Sequence, residues 1–270
     1  MDLELKDKVA VVTGAAGAIG GAIAEALAAE GAHVAIWDIC DEAGSRRAET
    51  LRGAGGQAIS CVCDVTDRDA VEAALAQTLD AFSTVDLLVN AAGGSRAQTT
   101  TSPDLSFFEI RQRDMELVMA LNYLSAVLPS QAVGPTLAQK GEGAIVNIGS
   151  VAGGEPLTRS LTYSNAKAAV ASFTQWLAVH MAQEYSPRIR VNAVAPGFVL
   201  TDQNRFLLLD EQSGELTPRG ETVLSQVPMR RFGEPHEIAT LALWLASPRA
   251  SFLTGTVIPV DGGFTAFCGV

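Results

Sequence analysis

The chain has 270 residues, of which 48% are hydrophobic and 18% charged, with a formal net charge of -11. This composition can bury a large core and excludes a disordered chain, and the acidic balance argues against a nucleic-acid partner, which selects a basic face. No uninterrupted apolar run has the length of a bilayer span, and the charged start from Met1 to Lys8 lacks the apolar centre of a signal peptide, so a cytoplasmic protein without a membrane partner is expected.

Short apolar runs alternate with longer helical patterns. Lys8 to Thr13 reads as a β-branched strand, Ala18 to Glu30 as an alanine-rich helix ended by Gly31, and His33 to Trp37 as a second strand. Asp41 to Arg52 is a polar helix broken by Gly53 to Gly56. Ala58 to Cys63 is a third strand, Thr66 caps a helix running to about Phe82, and Asp86 to Asn90 is a fourth strand. Glu116 to Gln139 reads as a long helix kinked at Pro129 or Pro135. Gly143 to Ile148 is a fifth strand, Thr162 to Tyr185 a long helix, Ile189 to Ala193 a sixth strand, Pro235 to Ala246 a helix opened by proline, and Thr256 to Val260 a last strand. The alternation predicts an α/β fold in one Rossmann-like domain over residues 1–270. Its core is a doubly wound parallel sheet of about seven strands with helices on both faces. The stretches 93–108, 149–161 and 197–227 break the rhythm after strand ends, where such sheets form their ligand crevice.

Cys40, Cys61, Cys63 and Cys268 match neither a zinc knuckle nor a CxxC redox pair, and are expected to be free thiols, with the strand residues Cys61 and Cys63 buried on one face. His33, His180 and His236 form no ligand-like group, so no metal is expected. Thr13 to Gly20 joins the first strand to the first helix. Gly14, Gly17 and Gly20 permit a tight turn and close approach of a pyrophosphate to the free N–H groups of the helix start. Asp38 closes the second strand. A carboxylate there accepts hydrogen bonds from ribose hydroxyls and repels a 2′-phosphate, so NAD is expected rather than NADP.

Tyr163 and Lys167 lie four apart, on one face of the helix opening near Thr162. A phenol titrates near pH 10, and an adjacent ammonium lowers that value towards useful acid/base chemistry. Ser150, at the end of the fifth strand, could hold a substrate oxygen beside the tyrosine.

Taken in order, Thr13-Gly14 to Gly20, Asp64-Val65, Asn90-Ala91-Ala92-Gly93, Asn122, Ser150, Tyr163 with Lys167, Pro196-Gly197 with Thr201, and Val260-Asp261-Gly262-Gly263 give the chain a pattern that resembles the short-chain dehydrogenase/reductase family over essentially its whole length. The resemblance implies a catalytic tetrad. Tyr163 would be the acid/base, Ser150 would orient the carbonyl, Lys167 would bind the nicotinamide ribose and lower the tyrosine pKa, and Asn122 would hold a water linking Lys167 to solvent. It further implies that Gly14, Gly17, Ile19 and Gly20 surround the pyrophosphate, that Asp64 and Val65 lie at the adenine, and that Asn90, Ala91, Ala92 and Gly93 line the cofactor. Pro196, Gly197, Val199 and Thr201 would grip the nicotinamide amide, with Tyr163 and Lys167 also at the cofactor. The chain departs from the family pattern at Ala18, where glycine is usual and a methyl group could crowd the pyrophosphate. A homotetramer is the assembly the family implies.

Leu157-Thr158-Arg159, Ser172 to His180, Ala195 to Arg205, Pro228 to Pro235 and Gly263 to Val270 resemble the branch of this family identified as D-mannonate oxidoreductase or fructuronate reductase. The implied reaction is NAD-linked interconversion of D-mannonate and D-fructuronate. Another polyol, gluconate or a hydrophobic alcohol is the alternative substrate. A ketoacyl reductase is disfavoured by Asp38, and a dinucleotide sensor without turnover has no need of Tyr163 with Lys167. A sugar acid needs local positive charge, since guanidinium pairs with carboxylate in bidentate fashion. Arg205, Arg159 and Arg96, one in each irregular stretch, are the expected contacts.

Overall fold

The computed structural model describes residues 2–201, 204–210 and 213–269, so Asp202, Gln203, Glu211 and Gln212 of the 197–227 stretch lie outside it. Seven strands form one sheet: β1 (Val9–Thr13), β2 (His33–Asp38), β3 (Gln57–Val62), β4 (Leu87–Asn90), β5 (Gly143–Ile148), β6 (Ile189–Pro196) and β7 (Val257–Val260). All pairs are parallel, in the order β3-β2-β1-β4-β5-β6-β7. The Rossmann-like sheet expected from the alternation is therefore present. The order reverses between β1 and β4, where Thr13 stands opposite Trp37 on one side and Asn90 on the other. Such a reversal opens a crevice at the carboxyl ends of the strands.

The helices are α1 (Ala18–Ala29), α2 (Asp41–Gly53), α3 (Arg68–Phe82), α4 (Gln112–Met119), α5 (Ser125–Lys140), α6 (Leu161–Glu184), α7 (Arg205–Leu208), α8 (Pro218–Ser225) and α9 (Pro235–Ala246). Strand residues are buried on both sheet faces, which is why β1 reads as an unbroken apolar run. Ala10 and Val12 pack with Ile23 and Leu27 of α1 and Ala242 of α9, while Val11 packs on the other face with Val133 and Leu137 of α5 and Ala178 of α6. Each such Val, Leu or Ile contributes about 1.5–3 kcal/mol on burial. Arg190 of β6 is buried. Its guanidinium donates to the carbonyls of Leu245, Ala246, Ser247 and Ala250, tying the end of α9 to the sheet. Cys61 and Cys63 are buried free thiols, with Cys63 pushed up to about 12 chiefly by burial, whereas Cys40 and Cys268 are exposed.

Several local expectations are corrected. Asp67, not Thr66, caps α3, its carboxylate accepting from the Asp69 and Ala70 N–H groups, because Thr66 is engaged with Asp64. The long helix spans Gln112–Lys140, and its break is a π-turn at Ala120–Leu124, ahead of Pro129 and Pro135 in α5. There Asn122 Nδ2 donates to the Val118 carbonyl, competing with the regular ladder. This helix is long and apolar enough to cross a membrane by length and mean hydropathy, although no single run in it is uninterrupted, and it places Val118, Val133 and Leu137 in the core. The stretch 197–227 also holds two helices, α7 and α8, that the apolar pattern did not reveal.

Candidate active site

Two adjoining cavities open along the crevice. The first, about 540 Å³, is lined by Gly14, Gly17, Ala18, Ile19, Gly20, Asp38, Asp64, Val65, Ala91, Ala92 and Gly93 among others. Its shape is set by the turn after β1. Gly14 has φ +64°, and a Cβ there would stand 2.8 Å from Ala92 Cα. A Cβ on Gly20 would stand 2.5 Å from the Gly14 carbonyl oxygen. Both are glycine because no side chain fits. The Thr13 hydroxyl accepts from the Ala91 and Ala92 N–H groups, joining this turn to the end of β4. No side chain caps α1 at Gly17, so its first-turn N–H groups are available beside the cavity wall formed by Ala18, Ile19 and Gly20. The residues therefore fit a dinucleotide pyrophosphate. Ala18 is the first residue of α1 and lines the cavity, while Gly17 before it is in extended conformation. The turn accommodates the departure from the family pattern.

Asp38 ends β2 at this cavity, its carboxylate accepting from Ala16 N–H (2.9 Å) and Cys40 N–H (3.0 Å). Asp64 Oδ1 accepts from the Thr66 N–H and hydroxyl. Asn90 departs from expectation. Its side chain lies in a buried network, donating to Asn147 Oδ1 (2.8 Å) and Ser130 Oγ (3.1 Å), and is not among the cavity walls. It therefore supports the cavity floor from below, through the polar chain that continues from Asn147 to Thr174.

The second cavity, about 630 Å³, holds Ser150, Tyr163, Lys167, Pro196, Gly197, Val199 and Thr201. It shares Ile19, Ala91, Gly93 and Thr201 with the first. Ser150 follows β5, and its hydroxyl accepts from Ala152 N–H (3.1 Å). Lys167 is buried one helical turn after Tyr163, with Nζ donating to the Ile148 carbonyl (2.9 Å) and lying 5.7 Å from the tyrosine ring centroid. Burial lowers the Lys167 pKa to about 8. Loss of solvent around the Tyr163 phenol raises its pKa above 10.0, and the neighbouring Ser150 hydroxyl opposes that rise. A raised phenol pKa needs nearby positive charge to reach the neutral range.

Asn122 is buried behind the cavity wall. Its Oδ1 accepts from Gly94 N–H (3.0 Å) and its Nδ2 donates to the Gly94 carbonyl (2.9 Å). Gly93 separates Asn122 from Lys167, and a Cβ on Gly93 would stand 2.8 Å from Asn122 Oδ1 and 3.3 Å from Lys167 Nζ. Gly93→Ala should therefore displace both groups and lower kcat by about ten- to a hundredfold, the scale of an ångström-sized misplacement. Steady-state kinetics of that variant, with circular dichroism and a thermal melt as folding controls, test the point; an unchanged kcat would contradict it.

The structure does not bring the three expected arginines together. Arg96, Arg159 and Arg205 are exposed, and none lines the second cavity. Arg159 has φ +73°, and its carbonyl accepts from Thr101 N–H, so its backbone clips the 93–108 and 149–161 stretches together while its side chain lies outside. Arg219 of α8 lines the cavity instead. The signal for it was present, since Thr217-Pro218 is a helix-starting pair of cap and first residue.

Residues 14–265 match a family profile described as enoyl-(acyl carrier protein) reductase. The uncharacterized oxidoreductase UxuB of Bacillus subtilis (strain 168) is 40% identical, covering 98% of each chain. The 7alpha-hydroxysteroid dehydrogenase of Escherichia coli (strain K12) is 32% identical, over 97% of this chain and 96% of that one. A Haemophilus influenza protein provisionally named a D-mannonate oxidoreductase, solved with bound NAD, superposes with a TM-score of 0.92 at 36% identity, covering 98% of each chain. The chain belongs to the short-chain dehydrogenase/reductase family. It is an oxidoreductase that interconverts an alcohol and a ketone.

Proposed function

We propose that the chain is an NAD-dependent dehydrogenase of a sugar acid, converting D-mannonate to D-fructuronate and the reverse. The observation that carries this reading is the hydroxyl-bearing lining of the second cavity. Ser95, Thr100, Ser102, Ser160 and Thr201 stand around Tyr163 and Ser150, a surface suited to a polyhydroxylated substrate, whose many polar groups each need a partner on leaving water. The NAD-bound relative supports the same reading. Leu157, Phe198, Leu207 and Leu208 also line the cavity, which favours a hydrophobic alcohol as the second reading, in keeping with the hydroxysteroid relative.

In the proposed chemistry the residues from Gly14 to Gly20 and Asp38 would hold a dinucleotide whose nicotinamide, placed beside Ile19, Gly93 and Thr201, would supply a hydride acceptor for the alcohol carbon. Tyr163 takes the hydroxyl proton, and Ser150 holds the same oxygen in line. Lys167, charged below about pH 8, lowers the phenol pKa, and Asn122 orders the path by which the proton reaches solvent. Exposed Leu117, Trp176 and Val179 lie on the packed helices α4 and α6, an apolar surface that supports the expected homotetramer.

Two measurements test the reading. In an NADH-absorbance panel of sugar acids, neutral polyols and hydroxysteroids, D-mannonate should give the highest kcat/KM; preference for a steroid or a neutral polyol would overturn the assignment. NAD should be preferred over NADP because Asp38 opposes a 2′-phosphate. Asp38→Asn keeps an acceptor for Ala16 or Cys40 but removes the charge, so the preference should narrow by on the order of tenfold. Equal use of both dinucleotides by the wild type would refute the role of Asp38.

A further inference from the structure

Among the described residues, no aspartate or glutamate lines the second cavity, although the whole chain has a net charge of -11. Its two ionisable cations are Lys167, on the inner wall, and Arg219. A lining that, among the described residues, presents cations and no carboxylate inside an acidic protein favours an anion against the global field.

We infer that Arg219 is the residue that recognises the substrate carboxylate, holding the acid end of the molecule while Tyr163 and Ser150 hold the reacting oxygen. The inference rests on the sugar-acid reading above and replaces Arg96, Arg159 and Arg205 in it.

Three features of α8 point the same way. Arg219 makes no ion pair or hydrogen bond among the described residues through its side chain, so its guanidinium is not committed to holding the fold. It stands in the first turn of a helix, where a cation opposes the helix dipole; helix stability is therefore not what the residue serves. An anion placed there meets both the guanidinium and the positive helix end, which add. The helix is also held in place. The Thr217 hydroxyl accepts from Gly220 N–H (3.0 Å) and donates to the Leu207 carbonyl (2.7 Å), and Thr217 N–H donates to the Leu208 carbonyl (3.0 Å). Gly220 packs so closely on α7 that a Cβ would stand 2.2 Å from the Leu208 carbonyl oxygen. Leu207 and Leu208 line the same cavity. Arg219 is exposed, but its backbone is carried on a braced helix pair rather than on a loose loop, so binding orders the side chain alone.

The placement selects among substrates by chemistry. A polyhydroxy monocarboxylate satisfies the hydroxyl-bearing wall at one end and Arg219 at the other, whereas the corresponding neutral polyol or lactone satisfies only the wall.

The experiment compares wild type, Arg219→Ala and Arg219→Lys with D-mannonate and with the most active neutral polyol, together with NADH binding by fluorescence. Arg219→Ala should lose about ten- to a hundredfold in kcat/KM for D-mannonate, mostly through KM, the scale of one charge-assisted pair. NADH affinity and neutral-polyol turnover should change less than about twofold, and Arg219→Lys should recover part of the loss by restoring the charge without the fork. If the wild type prefers sugar acids and Arg219→Ala retains its D-mannonate kcat/KM, the assignment of Arg219 fails while the sugar-acid reading stands. The same holds if the loss appears in Arg205→Ala or Arg159→Ala instead. If the wild type prefers neutral or steroid alcohols, both fail together.

Discussion

Tyr163→Phe is expected to lower kcat by about a hundred- to ten-thousandfold, the range spanned by general acid/base catalysis, while NADH binding stays within about twofold. The variant removes one oxygen and keeps the ring, so the packing of α6 is preserved. Among the described residues, no other group lining the cavity is placed to take over the proton. Ser150 is an unactivated hydroxyl whose oxygen accepts from Ala152 N–H, and Lys167 points its Nζ at the Ile148 carbonyl. Rapid mixing of enzyme with NAD and substrate, followed by NADH absorbance, separates the chemical step from product release. Retention of more than about a tenth of wild-type kcat would show that the phenol is not the proton acceptor.

Lys167→Met should be nearly inactive and yet more stable than the wild type at neutral pH. Burial lowers the lysine from 10.5 when free to about 8 in the fold. Below pH 8 both folded and unfolded chains carry the proton, and the folded chain bears the full cost of a desolvated charge. Between about pH 8 and 10.5 the unfolded chain keeps the proton and the folded chain releases it, so wild-type stability rises with pH in this window. Above 10.5 the cost has vanished. Methionine fills similar space without charge, but leaves the Ile148 carbonyl without its donor, which returns about 1 kcal/mol of the gain. The net stabilisation should be roughly 2 kcal/mol at pH 7 and should shrink towards pH 10. Urea melts of both proteins at pH 7 and 9.5 check it. A variant less stable than the wild type at both values would mean that the hydrogen bond outweighs desolvation at this position. The kinetic loss should fall on both kcat and the KM for NAD, since the proposed chemistry gives the lysine a part in both proton transfer and cofactor placement.

The strands were legible because β1, β4 and β5 are buried on both faces and read as continuous apolar runs bounded by glycine or polar residues. The pairing of Tyr163 with Lys167 was legible because helical geometry converts a spacing of four into a shared face. Features that depend on distant partners were not. The π-turn at 120–124 arises from the hold of Asn122 on Gly94 and Val118, and nothing in the local sequence announces it. Asn90 was expected in the cofactor wall, but its side chain turns towards Asn147 and Ser130 on neighbouring elements. Arginine direction is not encoded locally for a related reason: Arg96 and Arg159 sit in loops and Arg205 opens the one-turn helix α7, and all three side chains lie outside the cavity. Arg219 was overlooked because α8 is short and polar, without an apolar period to mark it. Its Thr217-Pro218 start was the one local clue.

The shared wall of the two cavities divides the molecule into parts with different freedom to change over generations. A substitution at Ile19, Ala91, Gly93 or Thr201 touches both chambers at once, so any gain for a new substrate is entangled with the grip on the coenzyme. Leu157, Leu207, Leu208 and Arg219 border only the second chamber. Divergence towards a new alcohol can therefore proceed through the later loops and the α7–α8 pair while the amino-terminal half is left untouched. The same partition tells an engineer which positions to randomise together and which to leave alone.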